Sequence, residues 1–191
     1  MTSAMPSTLD AGVLRLRRFV AEDADQVLDA VRESGTALSI YETWARPPFS
    51  HTDAVEYVGW WTAGWEDRTS CFYAVAKDQR LIGACGLFGL DPDAGEASLG
   101  FWIRSSQTGR GHASLAAHHL ADAAFASLGL RRIVMRVATG NAASLRVCSK
   151  IGAIEDRRVP GGLELDGDRH DAIVLSLWSE VDEQSGSTIA P

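Results

Sequence analysis

Residues 104–114 read RSSQTGRGHAS. The stretch follows a strand-like run, Ala97 to Ile103, and leads into a helix-like run, Ala113 to Ser127. Gly109 and Gly111 bracket Arg110 at the junction. Glycines there let the backbone turn sharply and leave room for a ligand. The first amides of a helix have no intrahelical partner and stand as free donors. The helix dipole adds partial positive charge at the same end. Together they make an anion site suited to a phosphate or pyrophosphate. An ordinary glycine turn is the competing reading, since short glycine motifs recur by chance.

Working outward, Val13 to Arg18 alternates apolar and basic residues, which suits a strand. A helix follows from Glu22 and Asp23 to about Glu33. Tyr41 to Phe49, YETWARPPF, is a loop, because Pro47-Pro48 cannot continue a helix. Ser50 is placed to cap a helix over about Thr52 to Trp65. Phe72 to Ala76 and Arg80 to Phe88 read as strands around a tight polar turn. Beyond the glycine loop and its helix come a strand, Ile133 to Ala138, and a short helix capped by Asn141. Ala153 to Val159 and His170 to Trp178 are the last strands, linked by GGLELDGD. The order β-α-α-β-β-β-α-β-α-β-β predicts an α/β fold, a mixed sheet with helices on both faces. Residues 1–12 are expected to be a flexible leader, 13–180 a single domain and 181–191 a disordered tail. The glycine loop then lies at the C-terminal end of a central strand, where open α/β sheets usually bind ligands.

Composition narrows the function classes. The 191 residues include 18 Lys and Arg against 25 Asp and Glu, a net charge of −7. That disfavours broad nucleic-acid binding, which needs cations to neutralise phosphates. It suits a basic amine or a basic peptide as partner. No apolar run approaches a membrane span, and the N-terminus carries no secretory signal. Cys71, Cys85 and Cys148 lack paired spacing and are expected as free thiols in a reducing cytoplasm. No Cys and His cluster has zinc spacing, so no metal is expected.

Four stretches in the right order resemble the GNAT acetyltransferase superfamily, most closely its RimJ/RimL-type branch, which acetylates protein N-termini and related amines. They are LRLRRF, WARPPFSHTDAVEYV, LGFWIRSSQTGRGHAS and DGDRHDAIVLSL, and NAASLRVCSKIGA adds to the likeness. The resemblance spans about residues 13–178. It implies a mostly antiparallel sheet, a splay between its two central strands, and acetyl-CoA as acyl-donor substrate. It places the cofactor arm against Phe101, Trp102 and Ile103. It places the pyrophosphate on Gly109, Arg110, Gly111, His112, Ala113 and Ser114. Thr108 departs from the family's Gln/Arg, for which Gln107 or Arg110 can substitute.

Asn141 matches the family's second cofactor anchor. Asn141, Ser144 and Cys148 are spaced by three and four and share a helix face. Many relatives carry a tyrosine acid at the position of Cys148, whereas the N-terminal acetyltransferase branch carries a serine at that of Ser144. Ser144 is therefore the expected hydrogen-bond donor to the leaving thiolate. Glu96 and Glu164 are candidate bases, although Leu163 aligns with the family's glutamate, one residue before Glu164. Tyr41 and Trp44 are candidate walls of the acceptor pocket.

The resemblance implies a cytoplasmic N-acetyltransferase acting on a protein N-terminus or a small-molecule amine by direct attack. A homodimer is compatible with it. Two alternatives stay open: the same fold using another acyl donor such as aminoacyl-tRNA, or a non-catalytic acyl-CoA sensor.

Overall fold

Alternation along short strands builds the sheet. The computed structural model describes residues 4–179. In β2 (Leu14–Arg18), Leu14 and Leu16 are buried while Arg15 is exposed. β1 (Thr8–Ala11) pairs with it antiparallel, Ala11 opposite Leu14. Gly12 opens the two-residue turn between them at φ 62°, a conformation that favours glycine in tight hairpins. The flexible leader expected over residues 1–12 is thus corrected, because residues 8–11 form an edge strand. TLDA is too short and too polar for alternation to reveal it. The tail expected over 181–191 lies outside the described residues.

The remaining strands are β3 (Ser70–Lys77), β4 (Arg80–Asp91), β5 (Glu96–Ile103), β6 (Arg132–Ala138), β7 (Ile154–Leu165) and β8 (Asp168–Trp178). They form one sheet in the order β1-β2-β3-β4-β5-β6-β8-β7. Every neighbouring pair is antiparallel except β5 and β6, which are parallel. The final hairpin is longer than the sequence suggests. β7 continues through Gly161 and Gly162 across a register shift between Val159 and Leu163. The turn is reduced to Asp166 and Gly167, at φ 60° and 83°, the signs of a tight hairpin turn. Two adjacent glycines read as a loop, but here a bulge absorbs them.

Helices cover both faces and make two cores. α1 (Asp23–Ser34), the short α2 (Thr36–Ser39) and α3 (His51–Glu66) lie on one face. α4 (His112–Leu128) and α5 (Ala142–Lys150) lie on the other. β3 divides its side chains between the two. Cys71, Tyr73 and Val75 pack on the α4 side, and Phe72 and Ala74 on the α1 and α3 side. This is the two-residue strand period buried on both faces. α3 starts with a capping box, in which Ser50 and Asp53 each satisfy the other's backbone N–H. α4 starts at Gly111 and stops at Gly129, both in the left-handed region.

Candidate active site

The site begins where a ladder stops. β5 and β6 pair only over Glu96–Arg132, Ala97–Ile133 and Ser98–Val134. Past Ser98, β5 stays paired to β4 up to Ile103, and β6 stays paired to β8 up to Ala138. No ladder joins Leu99–Ile103 to Met135–Ala138, so the two central strands splay apart. Backbone polar groups in such a gap need partners. An extended ligand chain lying there can supply them as a strand would.

Two clefts open at the splay. The larger, of about 350 Å³, runs from Phe101, Trp102 and Ile103 over the glycine loop to α5. The smaller, of about 120 Å³, is lined by Leu99, Gly100, Met135, Val137, Leu163 and Leu165, among others. Tyr41, Glu42, Phe101, Asn141 and Ser144 line both. The two clefts therefore meet at these five residues.

The glycine loop is held from below. Arg104 is buried and pairs with Glu33 at the end of α1. Glu33 also accepts the backbone N–H of Ser106 at 2.9 Å, and the Ser34 hydroxyl accepts that of Ser105 at 3.1 Å. The Arg104 hydrogen bond, with help from Ser106, holds the Glu33 carboxyl at about 2, well below the usual carboxylate range. Above this base, Gly109 and Gly111 sit at φ 74° and 81°. No atom lies within 4 Å of where a Cβ would stand on either. The first capping bond inside α4 is Leu115 N–H to Gly111 C=O, so the amides of His112, Ala113 and Ser114 remain free donors.

Buried polar atoms point to a polar ligand. Gln107 Oε1 and His112 Nε2 are buried without partners among the described residues, and both residues line the larger cleft. Burial, with the cations of Lys77 and Arg110, lowers the His112 pKa. Arg146 and Lys150 bring two more cations to the cleft from α5. A pyrophosphate fits this set: free amides, open space over glycines, cations and unfilled polar atoms.

Asn141 caps α5 by accepting the Ser144 backbone N–H at 3.0 Å. This leaves the Ser144 hydroxyl available at the junction of the clefts. Cys148, one turn on, turns away into the core with no exposure, its sulfur 3.5 Å from that of Met135. Burial pushes its thiol up to about 11. All three cysteines are free and buried.

The sequence-predicted residues divide cleanly. Phe101, Trp102, Ile103, Gly109, Gly111, His112, Ala113, Ser114, Asn141, Ser144 and Tyr41 all line the clefts. The Trp102 indole, however, faces the other core and donates to the Tyr57 hydroxyl at 2.9 Å. Arg110 lines neither cleft, and its charge adds to the lowering of the His112 pKa. Trp44 lines neither cleft either. It stacks on Tyr57 at 4.2 Å and donates its indole N–H to Glu42 at 2.7 Å. Glu96 sits where β5 and β6 are still paired, 3.0 Å from Arg132. Glu164 is exposed on β7. Neither glutamate lines a cleft.

The residue that sequence reasoning missed is Glu42. It is the one carboxylate among the residues lining the two clefts. Burial raises its pKa to about 7 against the lowering effect of the Trp44 hydrogen bond. Its signal in the sequence was faint: an acid set between Tyr41 and Trp44 in an aromatic loop.

A splayed parallel pair beside a helix end with free amides leaves room for an extended ligand that carries an anionic group. The chain belongs to the GNAT acetyltransferase family, whose domain matches residues 14–154, and is an acyl-CoA-dependent acyltransferase. It is 27% identical over 165 residues to YdaF of Bacillus subtilis (strain 168), a protein named as a ribosomal N-acetyltransferase. That match covers 86% of this chain and 90% of YdaF. Among solved structures, the microcin C7 self-immunity acetyltransferase MccE in complex with acetyl-CoA and AMP is similar at TM-score 0.87. Its identity is 15%, over 93% of this chain and 99% of that one. RimL, a ribosomal L7/L12 alpha-N-protein acetyltransferase in complex with coenzyme A, is similar at TM-score 0.86. Its identity is 18%, over 92% of this chain and 99% of RimL. No helix among the described residues is long and apolar enough to cross a membrane, and no metal-binding cluster occurs among them.

Proposed function

We propose that this chain moves an acetyl group from acetyl-CoA to the α-amine of a protein N-terminus, by direct attack of the amine on the thioester. The observation that carries this is the meeting of the two clefts at Tyr41, Glu42, Phe101, Asn141 and Ser144. One cleft suits the donor, with its pyrophosphate at the α4 amides and its arm along Phe101 to Ile103. The other, smaller and mostly apolar, suits the acceptor. The acetyl carbonyl lies between them. Holding both reactants in line contributes much of the rate, up to about 7–11 kcal/mol in well-oriented cases.

Attack forms the new C–N bond and a tetrahedral oxyanion. The C–S bond then breaks, and the Ser144 hydroxyl supports the departing thiolate. The names of YdaF and RimL support a protein acceptor, and the acetyl-CoA held by MccE supports acetyl as the group moved. A net charge of −7 favours a basic peptide as partner. Three buried, unpaired thiols suit a reducing cytoplasm.

The test is release of free thiol from acetyl-CoA across a panel of acceptors. The panel holds ribosomal-protein N-terminal peptides, the same peptides with blocked N-termini, and small amines. Release with free but not blocked peptides is expected. Tight acetyl-CoA binding with no release for any amine would favour the sensor reading. Release with small amines only would move the acceptor to that class.

A further inference from the structure

We infer that Glu42 takes the proton from the attacking ammonium, and that Trp44 is the positioning residue that aims it. This rests on the amine-acetylation reading and adds the base that reading lacks.

Geometry comes first. Glu42 reaches the junction of the two clefts and is the one acid lining either. Its Oε2 accepts the Trp44 indole N–H at 2.7 Å. Trp44 is itself fixed on several sides. It stacks on Tyr57 at 4.2 Å and 27°, meets Phe49 edge-on at 5.9 Å and leans on Trp102 at 5.7 Å. Tyr57 in turn accepts the Trp102 indole N–H at 2.9 Å. A carboxylate attached to such a block keeps its direction, and a base must be held in direction before its basicity counts.

The surroundings then set its strength. Tyr41 and the buried Tyr57 phenol lie beside Glu42. Arg136 lines the smaller cleft, and His112, Arg146 and Lys150 line the larger. None of these groups is what shifts Glu42. Burial raises it to about 7, and the indole N–H offsets part of that rise. A base near 7 is ionised enough at neutral pH to accept a proton and basic enough to hold it.

The ammonium N–H breaks and its proton passes to the Glu42 carboxylate. The freed nitrogen lone pair forms the bond to the thioester carbon. The C–S bond breaks with its electron pair on sulfur. The second nitrogen proton reaches the thiolate through the Ser144 hydroxyl. The products are amide, coenzyme A thiol and protonated Glu42, which returns its proton to solvent.

Glu42→Gln keeps an oxygen for the indole but cannot take a proton. At pH 7, kcat/KM for a free N-terminal peptide is expected to fall by ~10²–10⁴-fold. Acetyl-CoA affinity by calorimetry is expected to stay unchanged. The rising limb of the pH profile near 7 should disappear, and the defect should shrink at high pH, where the amine is already neutral. Trp44→Phe keeps the stacking and loses the N–H, so it should move the limb to higher pH. A merely structural Glu42 would leave the limb in place. The inference is overturned if the Gln variant keeps the limb, whatever its rate.

If the Gln variant does not fold, the carboxyl can be followed in the wild type and Trp44→Phe by carbon-13 NMR of labelled glutamate. One carboxyl titrating near 7, moved upward by Trp44→Phe, is expected; all carboxyls titrating in the ordinary range would overturn the inference. A wild type that transfers to no amine brings down the transfer reading, and the base with it. An active wild type beside an undiminished Gln variant brings down the base alone.

Discussion

Glu33 joins the last turn of α1 to the glycine loop: one carboxylate oxygen accepts the Ser106 N–H at 2.9 Å while the other pairs with buried Arg104. The proposed donor site therefore depends on a helix that does not line it. The Arg104 hydrogen bond holds the Glu33 carboxyl at about 2. Because the folded pKa is depressed, the linked stability is full above the ordinary value of about 4.5. It is lost as pH falls from there through about 2. Glu33→Gln should cost about 2 kcal/mol at pH 7, the scale of a charge-assisted bond. It should also flatten the acid limb of the melting curve. Thermal melts from pH 7 to pH 2 check this; identical curves for both chains would remove the linkage.

Gly111→Val and Gly109→Val should each abolish acetyl-CoA binding in a protein that still folds. Both positions have positive φ, 81° and 74°, which a β-branched residue resists by roughly 1–2 kcal/mol. Both also open onto free space that the new side chain would fill. Calorimetry on variants with native circular dichroism is the measurement. Unchanged affinity in either would take the pyrophosphate away from this loop.

Ser144→Ala should lower kcat by ~10²-fold, the low end for an acid helping a good leaving group. Acetyl-CoA affinity should stay nearly intact, because the role belongs to the transition state. The cap on α5 survives the change, since Asn141 accepts the Ser144 backbone N–H and not its hydroxyl. Collapse of affinity instead would make Ser144 a donor anchor.

Cys148→Ala should keep most activity. The thiol is fully buried against Met135 and raised to about 11, so almost none is thiolate at neutral pH. The change should cost stability only, by about 1 kcal/mol. An acetyl adduct on Cys148 found by mass spectrometry would overturn direct transfer.

What could be read along the chain was local. Ser50 with Asp53 and Asn141 with Ser144 announce helix starts, because a cap is made within a few residues. The glycine loop is of the same kind: positive φ at Gly109 and Gly111 is written in the residue type. Strand and helix periods then ordered the elements and left β1 and the short α2 unseen.

The splay and the proposed base were decided elsewhere. Nothing near Ser98 in the sequence says that its ladder with Val134 is the last. That depends on which strand each partner follows across the sheet. Glu96, Glu164 and Glu42 look alike as letters. Folding pairs the first with Arg132, exposes the second on β7, and turns the third under a Trp44 indole clamped by residues from α3 and β5. A carboxylate's chemistry follows from its desolvation and its neighbours, and segments distant in sequence supply both.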